Sequence, residues 1–153
     1  MSFPAIKITL SGTIRSKKNS HTPIPLPSKA VTRFKALFGK SWKYAQVLIV
    51  PGKTYKKWEA AARDQLMAIL PPGRKLLTCP LHVKAIFYYK GPRPDLQGAM
   101  ESLADCLEGY IYEDDKQIES WDGSRIVHDK NDPRVEIEIL KYEPEAQLFP
   151  LFK

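Results

Sequence analysis

Three stretches of the chain carry an apolar residue at every second position. From Ala5 to Ser11, Ile6, Ile8 and Leu10 stand against Lys7, Thr9 and Ser11, which predicts a half-buried strand that ends or bulges at Gly12. From Leu81 to Tyr89, every second residue from Leu81 through Val83, Ala85 and Phe87 to Tyr89 is apolar, the clearest strand of the sequence. From Arg134 to Leu140, Val135, Ile137 and Ile139 oppose Glu136 and Glu138. A fourth strand is predicted over Gln117–Val127, interrupted around Asp122-Gly123, and Tyr44–Val50 forms a further β-prone run. Two stretches carry helical spacing instead. Tyr55, Trp58, Ala62, Leu66 and Ile69 line one face of a helix predicted from Tyr55 to Leu70, capped by Thr54 and stopped by Pro71-Pro72-Gly73. Leu96, Ala99, Met100, Leu103 and Leu107 form the apolar stripe of a second, with Asp95 as its N-cap and Gly109 at its end. Its opposite stripe, Gln97, Glu101, Asp105 and Glu108, is acidic. Together these elements predict a single α+β domain, a mixed sheet of about four strands flanked by helices. Residues 21–43 read as an elaboration: three prolines between His21 and Ser28 impose an extended or irregular path, and Val31–Phe38 suits a short basic helix. No structure is predicted for the tail that carries Phe149 and Phe152.

A length of 153 residues and a hydrophobic content of 43% fit one soluble domain with a single core. No run approaches the ~18 apolar residues of a membrane span, and no leader pattern opens the sequence. Cys79 and Cys106 lack metal-ligand spacing and read as reduced core thiols, which points to the cytoplasm. His21, His82 and His128 are scattered and read as structural or surface residues. Charge is divided sharply. Residues 1–94 hold 18 Lys and Arg against Glu59 and Asp64 alone, a net of +16; residues 95–153 hold 6 Lys and Arg against 15 acids, a net of −9. A basic half that attracts phosphate beside an acidic half that holds cations is what a metal-dependent nuclease needs.

The acidic half concentrates that chemistry in two places, Asp95 and the triplet Glu113-Asp114-Asp115. Carboxylates on separate elements with no base between them offer the oxygen ligands that a hard divalent cation takes. The bland alternative is a solvated acidic helix followed by an acidic turn. The intervening helix is a spacer, so Asp95 approaches the triplet only if the chain doubles back.

The residues of this stretch, Arg93-Pro94-Asp95-Leu96, then Asp105, Leu107, Gly109, and finally Asp114-Asp115, Gln117 and Ile118, closely resemble the signature of the RusA-type Holliday junction resolvases. Lys53-Thr54-Tyr55 with Trp58-Glu59 extends the resemblance upstream, and the last strand extends it downstream, over some two-thirds of the chain. The family consists of Mg²⁺-dependent endonucleases of bacteria and prophages that cut four-way DNA junctions in recombination and repair. Where the family usually reads D-x-D-N with a lysine one turn on, this chain reads Asp95-Leu96-Gln97-Gly98 with Glu101 near the lysine position.

The resemblance implies Asp95 and Asp115 as the principal ligands of Mg²⁺ (or Mn²⁺), with Asp114 a lesser partner and Gln97 a weaker, neutral one. Glu101 is the candidate replacement for the missing carboxylate, and Lys116 or a residue of the basic half for the missing lysine. Arg15, Lys17 and Lys18 after the first strand, Lys90 and Arg93 ahead of Asp95, and Lys116 are the candidate DNA contacts. Paired cuts in a two-fold symmetric junction imply a homodimer. Two rivals belong to other classes: a protein of the same fold that binds DNA without cutting, suggested by Gln97 and Glu101, and a small basic binder of RNA or single strands. The latter would need exposed aromatics among basic residues, for which Tyr88 and Tyr89 beside Lys90 are the only candidates.

Overall fold

The structure, a computed structural model, describes residues 3–17, 21–25, 27–38 and 47–144. In chain order these form β1 (Ile6–Ser11), β2 (His21–Pro25), α1 (Ser28–Phe38), β3 (Val47–Pro51), α2 (Lys53–Ile69), β4 (Leu81–Tyr89), α3 (Leu96–Leu107), β5 (Ile118–Ser120), β6 (Arg125–His128) and β7 (Arg134–Lys141). No helix among the described residues is long and apolar enough to cross a membrane.

β4 is the central strand. β7 lies between β4 and β1 and runs antiparallel to both, pairing Ala85 with Ile137 and Ile8 with Ile137 from its other edge. The free edge of β4 takes β5 near its start and β6 near its end, both parallel. The sheet is therefore mixed, with five strands rather than about four, because the interrupted Gln117–Val127 stretch supplies two of them. The alternation read from the sequence is the alternation of burial. Ile8, Leu10, Leu81, Val83, Ala85, Phe87, Val135, Ile137 and Ile139 enter one core with Tyr55, Trp58, Ala62 and Leu66 of α2 and Ala99, Leu103 and Leu107 of α3. Helices cover that face of the sheet, and Lys7, Thr9, Lys84, Glu136 and Glu138 line a groove on the other.

Four expectations change. α2 starts at Lys53 with Gly52 as N-cap and no side-chain cap, so Thr54 lies inside the helix; the first helical bond runs from Lys56 N–H to the Gly52 carbonyl (3.1 Å). Ile69 is 53% exposed despite its place in the apolar stripe, because the last residue of α2 overshoots the core and Leu70 packs there instead. β3 does not join the main sheet; it pairs antiparallel with β2, which holds Pro23 and Pro25. Proline lacks the N–H of a ladder, and a two-stranded ribbon accepts it because each strand has an outward edge. α1 begins at Ser28, three residues ahead of its expected start.

The segment after β1 is not the free loop its composition suggests. Ile14 and Ser16 are buried, and the Lys17 N–H donates to Ser102 Oγ on α3 (3.0 Å). Ser16 sits so close to Gly98 that a Cβ there would collide with its Oγ, and would also crowd Asp95 Oδ2. Gly98 thus serves close approach, where it would otherwise weaken a helix interior. In an ordinary exposed helix Gly→Ala gains about 1 kcal/mol. Here Gly98→Ala is expected to reverse that sign, destabilising by about 1–3 kcal/mol as overpacking does; chemical denaturation measures it, and a stabilised variant would contradict the contact.

Candidate functional site

Beyond α3 the chain folds back on itself. Gly109 takes the left-handed angles (φ 76°) that glycine tolerates, and its N–H donates to the Tyr112 carbonyl (2.9 Å). The buried Tyr112 hydroxyl then donates to the Ala104 carbonyl of α3 (2.8 Å), and burial pushes its pKa up. The Leu77 N–H donates to the Ile111 carbonyl (2.9 Å), fastening the turn to the segment that leads into β4.

Gln117 holds the acidic triplet in place. Its Oε1 accepts from the N–H groups of Glu113 (3.0 Å) and Asp114 (2.9 Å), while its Nε2 donates to the carbonyls of Leu77 (2.9 Å) and Cys79 (3.0 Å). An amide has two donors and two acceptor sites, and all four are used. Asp114 Oδ1 caps a short 3₁₀ turn, Asp115–Gln117, by accepting from Lys116 N–H (2.9 Å). Glu108, at the C-terminal cap of α3, reaches across so that its Oε2 accepts from Asp115 N–H (3.2 Å). Carboxylate oxygens of Glu108, Asp114 and Asp115 thereby lie within 4.8 Å of one another, the one such cluster among the described residues.

The two aspartates respond oppositely. Backbone hydrogen bonding from Lys116 holds the Asp114 carboxyl below its usual range. Burial, and then the charges of Glu108, Asp114 and Asp105, push that of Asp115 up. The donors are all oxygens and their repulsion is only partly offset, the nearest ammonium being Lys116 Nζ, 3.8 Å from Asp114 Oδ2 on the exposed rim. Such a set fits a hard divalent cation and not a soft one.

Asp115 of the cluster lines a cleft of about 620 Å³. Gln97, Glu101 and Asp105, at successive four-residue steps on α3, line it together with Asp115 and Lys17, and Met100, Ala104, Ile118 and Trp121 supply apolar surface. Lys17 Nζ contacts Asp105 Oδ2 at 2.7 Å, and that hydrogen bond raises the lysine pKa. Gln97 Nε2 donates to Glu101 Oε1 (3.3 Å).

The structure therefore brings Asp114, Asp115, Gln97, Glu101 and Lys17 to one region. Asp95 stands apart from the carboxylate cluster. Its Oδ2 accepts from Gly98 N–H (2.8 Å) as the N-cap of α3, and ten residues of helix put about 15 Å along the axis between Asp95 and Asp105. Asp95 lines a separate pocket of about 250 Å³ with Arg15, Ser16, Thr54 and Arg93. Lys90 is exposed, its N–H donating to Thr13 Oγ1 (3.1 Å). Lys18 lies outside the described residues. Sequence reasoning misses Glu108 as a cluster member although the acidic stripe of α3 contains it, and misses Trp121 because its place in the predicted strand marks it as ordinary.

Removing the Gln117 amide should loosen the cluster. Gln117→Ala is expected to destabilise by about 1–3 kcal/mol in denaturant titration, and Gln117→Glu should not rescue it, because a carboxylate has no donor for the Leu77 and Cys79 carbonyls. Asp115 makes the opposite prediction. Its raised pKa means that the native state binds the proton more readily than the unfolded chain. The ionised carboxylate therefore destabilises the fold above its folded pKa, and the penalty fades as pH falls through that value. Asp115→Asn should raise the thermal midpoint at neutral pH by roughly 1–3 °C; a lowered midpoint would contradict the repulsion.

The sequence model of endodeoxyribonuclease RusA matches residues 23–140 of the chain. No curated protein matches it.

Proposed function

Since the chain belongs to the RusA endodeoxyribonuclease family, nucleases of branched DNA, we propose that it resolves four-way junctions as a divalent-metal-dependent enzyme of the cytoplasm, in recombination and repair. The observation that carries the metal dependence is the convergence of Glu108, Asp114 and Asp115, the last of which lines the cleft. Those three carboxylates would hold Mg²⁺ or Mn²⁺, with Glu101 and Gln97 facing the cleft as further oxygen donors. A cation bound there would lower the pKa of the attacking water and neutralise the scissile phosphate.

The protein's own residues have separate tasks. The acidic walls repel DNA phosphates, so approach depends on positive charge at the margin. Arg15 and Arg93 line the pocket at the start of α3, and Lys17 borders the cleft itself. Lys17 is 47% exposed and can exchange its Asp105 contact for a phosphate oxygen. It is the member of the basic half best placed to supply the lysine that the family carries where this chain has Glu101. Glu101 binds the amide N–H of Gln97, which leaves the Gln97 carbonyl oxygen as the acceptor. Asp95 acts from the far end of α3, as the cap that sets the helix and as a carboxylate beside Arg15 and Arg93. Lys90 and Lys116, both exposed, are further candidate phosphate contacts, and a homodimer would present two such sites to the two-fold symmetric junction.

One observation favours a second reading, a protein of this fold that binds junctions without cutting: Gln97 and Glu101 hydrogen-bond each other and reduce the ligand charge of the cleft. A cleavage assay on a four-way junction with Mg²⁺ or Mn²⁺ separates the two. The enzyme reading expects metal-dependent cutting, abolished by Asp115→Asn with junction binding retained, and raised by Gln97→Asp. Asp95→Asn keeps an N-cap acceptor and should leave stability within about 0.5 kcal/mol; loss of cutting in this variant would assign the Asp95 charge to catalysis. No cutting with either metal, in the native protein or in Gln97→Asp, would leave the binder. Binding itself should weaken by orders of magnitude from low to physiological salt, as several phosphate contacts require.

A further inference from the structure

The cleft has an apolar side that cation binding does not use. A hydrated divalent ion with about six waters, at about 30 Å³ each, fills roughly 180 Å³, against the 620 Å³ present. Met100, Ile118 and Trp121 line part of the remainder. All three pack against the core from the cleft side without being buried in it.

Trp121 reaches this position through a deformation of the sheet. Between the pairs Leu81–Ile118 and Ile86–Arg125, β4 advances five residues and its partner advances seven. Two extra residues are therefore accommodated, one within β5 between Ile118 and Ser120 and one between β5 and β6. Residues three apart in a regular strand face opposite sides, yet Ile118 and Trp121 line the same cleft. The bulge is stabilised at each step. Asp122 N–H donates to Ser120 Oγ (3.2 Å) and Ser124 N–H to the Trp121 carbonyl (3.1 Å). Gly123 takes a φ of 82°, and Ser124 Oγ accepts from Ala85 N–H (3.0 Å), standing in for the missing ladder bond. Bulges re-aim side chains beside active sites, and this one aims an indole.

We propose that Trp121, shelved by Met100 and Ile118, stacks a nucleobase unpaired at the branch point of the DNA. The identity of the occupant comes from the charge of the cleft. Glu101, Asp105 and Asp115 repel phosphate, and Lys17 on the lining is paired with Asp105, so the part of a nucleotide favoured there without a metal ion is its neutral, flat base, for which Trp121 puts an aromatic ring into the lining. The proposal rests on the nuclease reading above, since it places the base next to the carboxylates that would carry the metal.

The test uses the whole protein in EDTA, with a four-way junction and a linear duplex of the same sequence. Trp121→Leu keeps apolar bulk and removes the π-face; Trp121→Phe restores an aromatic ring. The Leu variant is expected to bind the junction about tenfold more weakly and the duplex equally well, with the Phe variant within about threefold of the native protein. A junction with 2-aminopurine at each branch-point position in turn should change emission on binding the native protein at one position or more. Equal junction affinity of the Leu variant and the native protein would overturn the proposal, as would equal loss on junction and duplex. Should the Leu variant fail to fold, the 2-aminopurine signal decides, and silence at every position overturns the stacking. If the native protein neither binds nor cuts junctions, the nuclease reading falls and the stacking falls with it. Normal cutting with an unaffected Leu variant removes the stacking alone.

Discussion

Glu108, Asp114 and Asp115 repel one another, and the side-chain amide of Gln117 is what holds the acidic turn in place against that repulsion. Its four hydrogen bonds link the turn to the strand-entry segment at Leu77 and Cys79. Neither carboxylate nor hydroxyl could do the same, because the task needs two donors and two acceptors on one planar group. The consequence reaches the electrostatics. With the backbone of the turn held by an amide, Asp115 stays close to Glu108 and Asp114, and its carboxyl is held up in pKa, chiefly by burial, while Asp114 is held down. A site in this state gains by taking up positive charge, whether from a metal ion or from a proton.

α3 is the second support, and it is shared between opposite charges. Gly98, Ser102 and Asp105 receive the Ser16–Lys17 segment along one side, while Gln97, Glu101 and Asp105 face the cleft. Asp105 belongs to both sets. Contacts between the basic and acidic halves of the chain also join Lys7 of β1 to Glu138 of β7 and Arg63 of α2 to the Asp105 carbonyl, but they engage few of the cations. The departure from the family pattern at Gly98 has a physical correlate here, since any side chain at that position would displace Ser16.

The strands β1, β4 and β7 and the helix α3 were legible because burial follows a strict period in each, and Val83, Leu103 and Ile137 sit where the pattern puts them. The acidic turn was legible from the Asp114-Asp115-x-Gln117 spacing, though the reason for the glutamine includes hydrogen bonds to residues 38 and 40 positions upstream that no local pattern contains. The grouping of carboxylates was not legible in full. Which end of α3 the turn folds back to depends on Gly109 and the Tyr112–Ala104 bond, and these select Glu108 as the near neighbour and leave Asp95 about 15 Å along the helix from Asp105. Trp121 was illegible because a bulge breaks the period of two on which strand reading rests.

The place of β7 between β1 and β4 bears on how the molecule is made. β1 is finished when residue 11 is joined, but its partner comes 123 residues later, at Arg134. At about 5–20 residues per second of synthesis, β1 waits roughly 6–25 s with its edges bare. β4 waits as well, for β5 and β6 on one side and β7 on the other. Through most of that interval the emerged chain is the strongly cationic portion, +16 over residues 1–94. Copies growing side by side on one message repel each other while their strands are unpaired, and like charge of this size suppresses association. The acids that would cancel the repulsion arrive with the strands that end the need for it.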